Sequence, residues 1–307
     1  MLMKDAVSAS PPVEVLSLEP NSADGDRIVE FRCNICGRPG VLAFKSFGRE
    51  HSTCAGCRST SRMRGIVHLL TIGLLGTDAP LSEIGARKDL VGIGMSDWHG
   101  YAKRLAEKFE YLNTFYDHEP QLDITDPDPS RFGTCDFVIS TDVFEHVCPP
   151  VSRGFAGVRK LLKPGGLFVF SVPYNTEGAT VEHFPELHEF EIQPSPEGKV
   201  LINRTRDGRE QRFGGLVFHG GEGATLEMRV FSKQGVIDEL TRAGFVDIEF
   251  FEGAHEASGV IFQEGWSRPL LARTPKEAMD ETGAGAGLSS VGGRHDGADA
   301  SSPSASR

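Results

Sequence analysis

Residues 136–173 read DFVISTDVFEHVCPPVSRGFAGVRKLLKPGGLFVFSVP. The apolar run Phe137–Ser140 has the length of a strand, and small polar and acidic residues follow it: Thr141, Asp142, Glu145 and His146. A helical pattern covers Val151–Leu162, the Lys-Pro-Gly-Gly sequence at 163–166 stops it, and Leu167–Val172 opens a second buried strand. This is a strand–helix–strand unit of a parallel sheet. Open parallel sheets bind ligands beyond the carboxyl ends of their strands, so a ligand is expected at residues 141–146.

Outward from this unit, short apolar runs alternate with helical patterns from Asp89 to about Arg273, the sequence form of an α/β sheet. Strands are expected at Leu90–Gly94, Tyr111–Phe115, Leu122–Ile124, Phe137–Ser140, Leu167–Val172, Val246–Phe251 and near Leu270–Ala272. Helices are expected at Ser59–Leu75, Gly100–Phe109, Val151–Leu162 and Ser232–Ala243. In the first of these, Ile66, Val67, Leu69, Leu70 and Leu74 make a broad apolar face. Ser232 suits an N-cap and Gly244 the position after a helix end.

The formal charge of −11 argues against broad electrostatic binding to nucleic acid or to acidic membranes. No apolar run reaches the roughly 20 residues that span a bilayer, and the first 24 residues carry no apolar signal core. A cytoplasmic location is the expectation. In that compartment cysteines serve as metal ligands or buried thiols more often than as disulfides.

Cys33-x2-Cys36 and Cys54-x2-Cys57 are separated by 17 residues, which matches the four-cysteine zinc pattern. A two-residue gap lets one tight turn aim two thiolates at one ion, and two such turns complete a tetrahedron. Gly37 and Gly56 sit in or beside the turns, where positive φ is often required. Four thiolates leave no open position, so the expected zinc is structural. Arg58, Arg62 and Arg64 follow directly. They read as the solvated start of the next helix, with a phosphate- or carboxylate-binding patch as the alternative.

Asp89–Asp97, DLVGIGMSD, is a buried strand with glycines at 92 and 94 running into small and polar residues. The third glycine of a dinucleotide fingerprint is missing, since Asp97 stands there. Together with Leu122-Asp123-Ile124-Thr125, the VFEHV at 143–147, the LKPGG at 162–166 and Ala243-Gly244-Phe245, this order of pieces resembles the class I S-adenosylmethionine-dependent methyltransferases over about residues 85–273. The resemblance implies a Rossmann-like α/β fold: a seven-stranded sheet with a reversed last strand, helices on both faces, and S-adenosylmethionine across the strand ends. The expected organisation is a flexible 1–24, a zinc-binding module at 25–60, a methyltransferase domain at 61–274 with an acceptor lid at 175–231, and a disordered tail at 275–307.

By the same resemblance, Gly92, Gly94 and Ser96 lie under the methionine part of the cofactor. Asp123 and Ile124 lie beside the adenine, and Thr141 and Asp142 line the methionine and methyl group. The chain departs from the family pattern in three places. Gly92 stands where an acid is usual, and Ser96 where a glycine is usual. The acid that binds the ribose hydroxyls falls one step late, at Asp117.

The sulfonium supplies an activated methyl group, so the protein has mainly to align an acceptor and exclude water. His146 is the expected base for an OH or NH acceptor. His183, His188 and His219 in the long insert are the expected acceptor contacts. His183 and His188 are five apart, which argues against a helical metal pair. The leading expectation is methyl transfer to a small-molecule or sugar-like acceptor. The alternatives are an RNA or protein acceptor, a non-catalytic scaffold of the same fold with a zinc docking module, and a nicotinamide-dependent oxidoreductase, against which the glycine pattern speaks.

Overall fold

In the computed structural model the described residues are 27–220 and 225–276. The expectations for residues 1–24 and for most of the tail at 275–307 lie outside them. The antiparallel pair β1 (Ile28–Arg32) and β2 (Pro39–Ala43) is followed by α1 (Ser61–Leu75), β3 (Arg87–Met95), α2 (His99–Lys108) and β4 (Phe109–Thr114). The unit read from residues 136–173 then forms as β5 (Cys135–Thr141), α3 (Ser152–Leu161) and β6 (Leu162–Ser171).

The insert holds β7 (Tyr174–Asn175), β8 (Val181–Glu182), β9 (Glu189–Ser195), β10 (Gly198–Arg204), β11 (Glu210–Phe213), β12 (Phe218–His219), β13 (Thr225–Leu226) and β14 (Arg229–Ser232). It is followed by α4 (Lys233–Arg242), β15 (Val246–Phe250), β16 (Ala254–His255), β17 (Val260–Ile261) and β18 (Leu270–Arg273).

The central sheet has the order β15-β18-β6-β5-β3-β4, with β3, β4, β5 and β6 parallel and β18 antiparallel to both its neighbours. The fold is Rossmann-like α/β, and among the described residues its central sheet has six strands where seven were expected. The missing strand is Leu122–Ile124. There Asp123 Oδ1 accepts from the amide and the hydroxyl of Thr125, both at 2.8 Å, and this turn competes with an extended ladder. Next to it a single isolated bridge joins Phe115 and Gln121. The LKPGG sequence also differs from expectation. The strand already begins at Leu162, and LKPGG is an irregular first half of β6 in which the register with β5 jumps between Cys135 and Phe137.

Strand alternation divides the core into two layers. Phe137, Ile139, Leu167 and Val169 pack with α1 and α2, whereas Val138, Phe168 and Phe170 pack with α3 and α4. The apolar face read on α1 is in the first layer, and so are Phe31, Ile35 and Phe47 of the cysteine module. Thr60 caps α1 by accepting from the Met63 amide, and Ser232 caps α4 by accepting from the Gly235 amide, as expected. Gly244 has a φ of 85°, the left-handed conformation that suits the end of α4.

The insert builds a three-stranded antiparallel sheet of β9, β10 and β11 and a small core of Phe184, Leu201, Leu226 and Met228. Strand β14 runs between β7 and β8 and joins this insert to the strand ends. No helix of the described residues is long and apolar enough to cross a membrane.

Gly92 is a packing residue. A Cβ there would run into the Phe137 ring on the neighbouring strand. The substitution Gly92→Ala is expected to cost about 1–3 kcal/mol by overpacking, read as a lower urea midpoint with an unchanged m-value.

Candidate active site at the strand ends

Strand β3 ends in Gly94 and Met95, and Ser96 turns the chain with a φ of 54° while its amide donates to the Thr114 carbonyl at 2.7 Å. The space a Cβ would take on Gly94 is filled by the Tyr111 hydroxyl and Asp97 Oδ2. Asp97 is buried. Tyr101 donates to its Oδ1 at 2.7 Å, and Tyr111 donates to Oδ2. Burial pushes its carboxyl up to about 7, against the opposing pull of the two tyrosine hydrogen bonds and Arg62. A carboxylate therefore does stand under this loop, but it comes from residue 97 and not from position 92.

The other expected cofactor residues divide by exposure. Asp117 projects into solvent with its side chain 82% exposed, bonded to His118 Nδ1 at 2.7 Å. The side chain of Asp123 is used in its own turn, and Ile124 is buried. Thr141 closes β5 and is buried.

Asp142, which follows in a left-handed conformation with φ of 53°, is held from the cysteine module. Arg49 Nη2 donates to both of its oxygens, at 2.6 and 2.8 Å, and Ser171 Oγ donates at 3.2 Å. Arg62 Nε lies 3.5 Å away and also donates to Glu50 at 2.6 Å. Burial would raise the Asp142 carboxyl, but Arg49 and Arg62 outweigh it and hold the group at about 2.

The solvated reading is thus corrected for Arg62 and Arg64, whereas Arg58 is exposed. Arg62 binds carboxylates inside the protein, and Arg64 has no exposed surface at all. The Arg64 guanidinium donates to Ser59 O, Ser59 Oγ, Thr53 Oγ1 and, twice, to Gly259 O, which uses its five N–H groups.

The next turn carries Glu145 and His146. Glu145 is 1% exposed and neither carboxylate oxygen has a hydrogen-bond partner among the described residues. Burial, with Asp142 adding to it, pushes its carboxyl well above the ordinary range. His146 Nδ1 donates to the Leu226 carbonyl at 2.9 Å, and burial lowers its pKa. The insert brings two of its three expected histidines here. Glu227 bonds His183 Nε2 through one oxygen and His219 Nε2 through the other, each at 2.9 Å. His146 and His219 meet edge to face with ring centroids 4.8 Å apart.

His188 is exposed; its amide donates to Asn203 Oδ1, and no described hydrogen bond or ring contact ties it to the cluster. Sequence reasoning missed Arg49, Asp97, Tyr111 and Glu227. Asp97 was visible only as the residue displacing a glycine, and Glu227 carries no motif.

The four cysteine sulfurs converge. Cys33 and Cys57 are 3.6 Å apart, Cys36 and Cys54 are 3.5 Å apart, and all four lie within 4.8 Å of one another. Tetrahedral bonds of about 2.3 Å to zinc put sulfurs about 3.8 Å apart, so the donor set fits that ion. Gly37 takes the expected positive φ of 75°. In the second turn Arg58, at 62°, takes that role, and Gly56 does not.

Residues 96–170 match the model of a family described as a methyltransferase domain. That stretch runs from the loop after β3 into β6 and contains the ends of β4 and β5 with Asp142, Glu145 and His146. No curated protein matches the sequence. Among solved structures the chain is similar to an S-adenosylmethionine-dependent methyltransferase from Clostridium acetobutylicum, with 13% identity, 61% of this chain and 86% of that one covered, and a TM-score of 0.37. It is also similar to DesVI from Streptomyces venezuelae, with 14% identity, coverage of 69% and 92%, and a TM-score of 0.37. A third is the 1,6-didemethyltoxoflavin-N1-methyltransferase of Burkholderia thailandensis, solved with S-adenosylhomocysteine, with 13% identity, coverage of 61% and 72%, and a TM-score of 0.36.

Asp117, the residue expected at the nucleoside end of S-adenosylmethionine, offers an exposed carboxylate just beyond β4, which suits a ribose. At the methionine end the side chains are engaged with one another: Tyr111 and Asp97 fill the space over Gly94, and Arg49 takes the Asp142 carboxylate.

The raised pKa of Asp97 has a definite sign. The folded state holds the proton more tightly than the unfolded chain, so Asp97 lowers stability progressively as pH rises from about 4 to about 7, with no further loss above that. The substitution Asp97→Asn removes this slope. The unfolding free energy of the variant relative to wild type is expected to rise by on the order of 2–4 kcal/mol between pH 4 and pH 8, measured by urea denaturation at each pH.

Proposed function

We propose that this chain transfers a methyl group from S-adenosylmethionine to a small-molecule or sugar-like acceptor, with a structural zinc on Cys33, Cys36, Cys54 and Cys57. The observation that carries the reading is the coincidence in one place of the family match over residues 96–170 and the polar cluster at the ends of β3, β4 and β5. The bound cofactor would supply an activated methyl group. The chain's own residues then have limited tasks. Asp117 binds the ribose hydroxyls, Asp123 and Ile124 flank the adenine, and the backbone at Gly94–Ser96 supports the methionine. The insert folds over the strand ends and keeps water out. With its Nδ1 proton given to the Leu226 carbonyl, His146 has a free Nε2 to receive a proton from the acceptor. His183 and His219, steadied by Glu227, are the acceptor contacts. The net charge of −11 supports a small acceptor over a nucleic acid.

The filled space over Gly94 favours a second reading, a non-catalytic scaffold of the same fold. Binding separates the two. S-adenosylhomocysteine is expected to raise the thermal midpoint of the full chain, by about 2.7 kcal/mol of stability at a hundredfold excess over Kd, whereas a nicotinamide dinucleotide leaves it unchanged. Replacing Asp117 by Ala is expected to weaken that binding roughly ten- to a hundredfold, the value of a hydrogen bond to a charged group. No shift at millimolar S-adenosylhomocysteine sinks the enzymatic reading and leaves the scaffold.

For the zinc, the double variant Cys36→Ser, Cys54→Ser is expected to lose one equivalent of the metal by elemental analysis and to unfold at lower temperature. Full retention of zinc would refute the assignment.

A further inference from the structure

A second cluster of potential metal ligands lies at the strand ends. Glu145, His146 and His219 place a carboxylate oxygen and two imidazole nitrogens within 4.8 Å of one another. His146 Nε2 is 3.8 Å from Glu145 Oε1, and His219 Nδ1 is 4.0 Å from the same oxygen. Tetrahedral bonds of about 2.1 Å to a metal put ligand atoms about 3.4 Å apart, so a small contraction would close the set on an ion.

Three features point to a cation. The first is the Glu145 carboxylate, 1% exposed with neither oxygen hydrogen-bonded among the described residues. A buried polar group without a partner is costly, and an ion is one of the few ways to satisfy it. The second is the state of the two imidazoles. The Leu226 carbonyl can only accept, so His146 Nδ1 carries the proton and the lone pair of Nε2 turns toward Glu145. Glu227 likewise accepts from His219 Nε2, which leaves the lone pair of Nδ1 turned toward Glu145. Two imidazole lone pairs and the buried, unpartnered Glu145 carboxyl therefore converge.

The third is the outer support. Ligating histidines characteristically give their other N–H to a carbonyl or a carboxylate, which fixes the ring and its tautomer. Both kinds of anchor are present here, and Glu227 is itself braced by His183 at 2.9 Å.

We infer that Glu145, His146 and His219 bind a divalent first-row transition-metal ion, distinct from any ion held by the four cysteines. Two imidazoles and one carboxylate suit zinc, iron(II) or manganese(II) better than soft copper(I). Three protein ligands leave coordination positions open, on the side where His219 is 37% exposed. If the chain is a methyltransferase, an acceptor hydroxyl bound at an open position would ionise more readily, and His146 would be a ligand rather than a base. That consequence rests on the methyl-transfer reading, whereas metal uptake by the three side chains does not.

Manganese(II) is the discriminating probe, because it prefers oxygen and imidazole donors over a thiolate site. The full chain, titrated with manganese(II) and followed by the loss of the free-ion electron paramagnetic resonance signal, is expected to bind one equivalent. His219→Ala is expected to weaken binding by a hundredfold or more. Glu227→Gln, which touches only the nitrogen facing away from the ion, is expected to weaken it ten- to a hundredfold.

Native mass spectrometry in excess zinc should show two ions on the wild type and one on His219→Ala. His219 is partly exposed, so this variant is expected to keep the metal-free thermal midpoint, and Glu227→Gln is a second test if it does not. The proposal is overturned if wild type leaves manganese(II) free and never takes more than one zinc. It is equally overturned if both variants bind as wild type does, or if the second zinc follows the cysteines.

Discussion

The ion pair between Arg49 and Asp142 ties the cysteine module to the functional end of the sheet. Arg49 sits in the module, Asp142 is the first residue beyond β5, and two donor contacts of 2.6 and 2.8 Å join them. Arg49 Nε also donates to the Ser267 carbonyl at 3.3 Å, and Ser267 Oγ donates to the Val172 carbonyl beyond β6 at 3.0 Å. One guanidinium thus links the module, the turn after β5 and the segment before β18. The side chain of Arg49 is 8% exposed, and breaking a pair of that kind strands a charge at a cost of about 3–5 kcal/mol. The module is therefore part of the floor of the site and is braced against the same layer as α1 through Phe31, Ile35 and Phe47.

With zinc on the four cysteines, charge balance would give the buried Arg64 beside the module a purpose. Four thiolates around a divalent ion leave a net charge of about −2. Arg64 lies without exposure near them, with its pKa lowered by burial and supported by the attraction of all four cysteines. Its donors are all used on Thr53, Ser59 and Gly259, so the same side chain fixes the second cysteine turn, the start of α1 and the loop before β17. A lysine offers three donors from one point and could not span these partners.

What was legible in the sequence was local. The cysteine pairs announce themselves by spacing, the Ser232 cap by side-chain chemistry and the β5–α3–β6 unit by periodicity, and each is decided by residues within a few positions. Leu122–Ile124 looked like a strand because three alternating residues cannot report that Asp123 will capture the Thr125 amide. Arg62 looked solvated because helical position alone does not reveal a carboxylate arriving from residue 142. His146 and His219 could each be singled out by type and neighbourhood. Their meeting depends on the register of the insert, which no local pattern encodes, and Glu227 was invisible for the same reason.

That register is itself strongly fixed. The Met228 amide donates to the Glu145 carbonyl at 2.7 Å, the His183 amide to the Met228 carbonyl at 2.9 Å, and Arg229 Nη1 to the Phe144 carbonyl at 2.5 Å. Arg229 has no exposed surface, and its Nε meets Glu182 on β8 at 2.6 Å. A slip of one residue in β14 would turn every side chain of that strand to its other face and break all of these bonds at once. The insert is thereby clamped on the backbone of the turn that carries Glu145 and His146, and the inward-facing side chains Glu145, His146 and His219 are held together because the backbone around them is satisfied. The sheet sets where a ligand can enter; the clamp between β14 and this turn sets which chemistry meets it there.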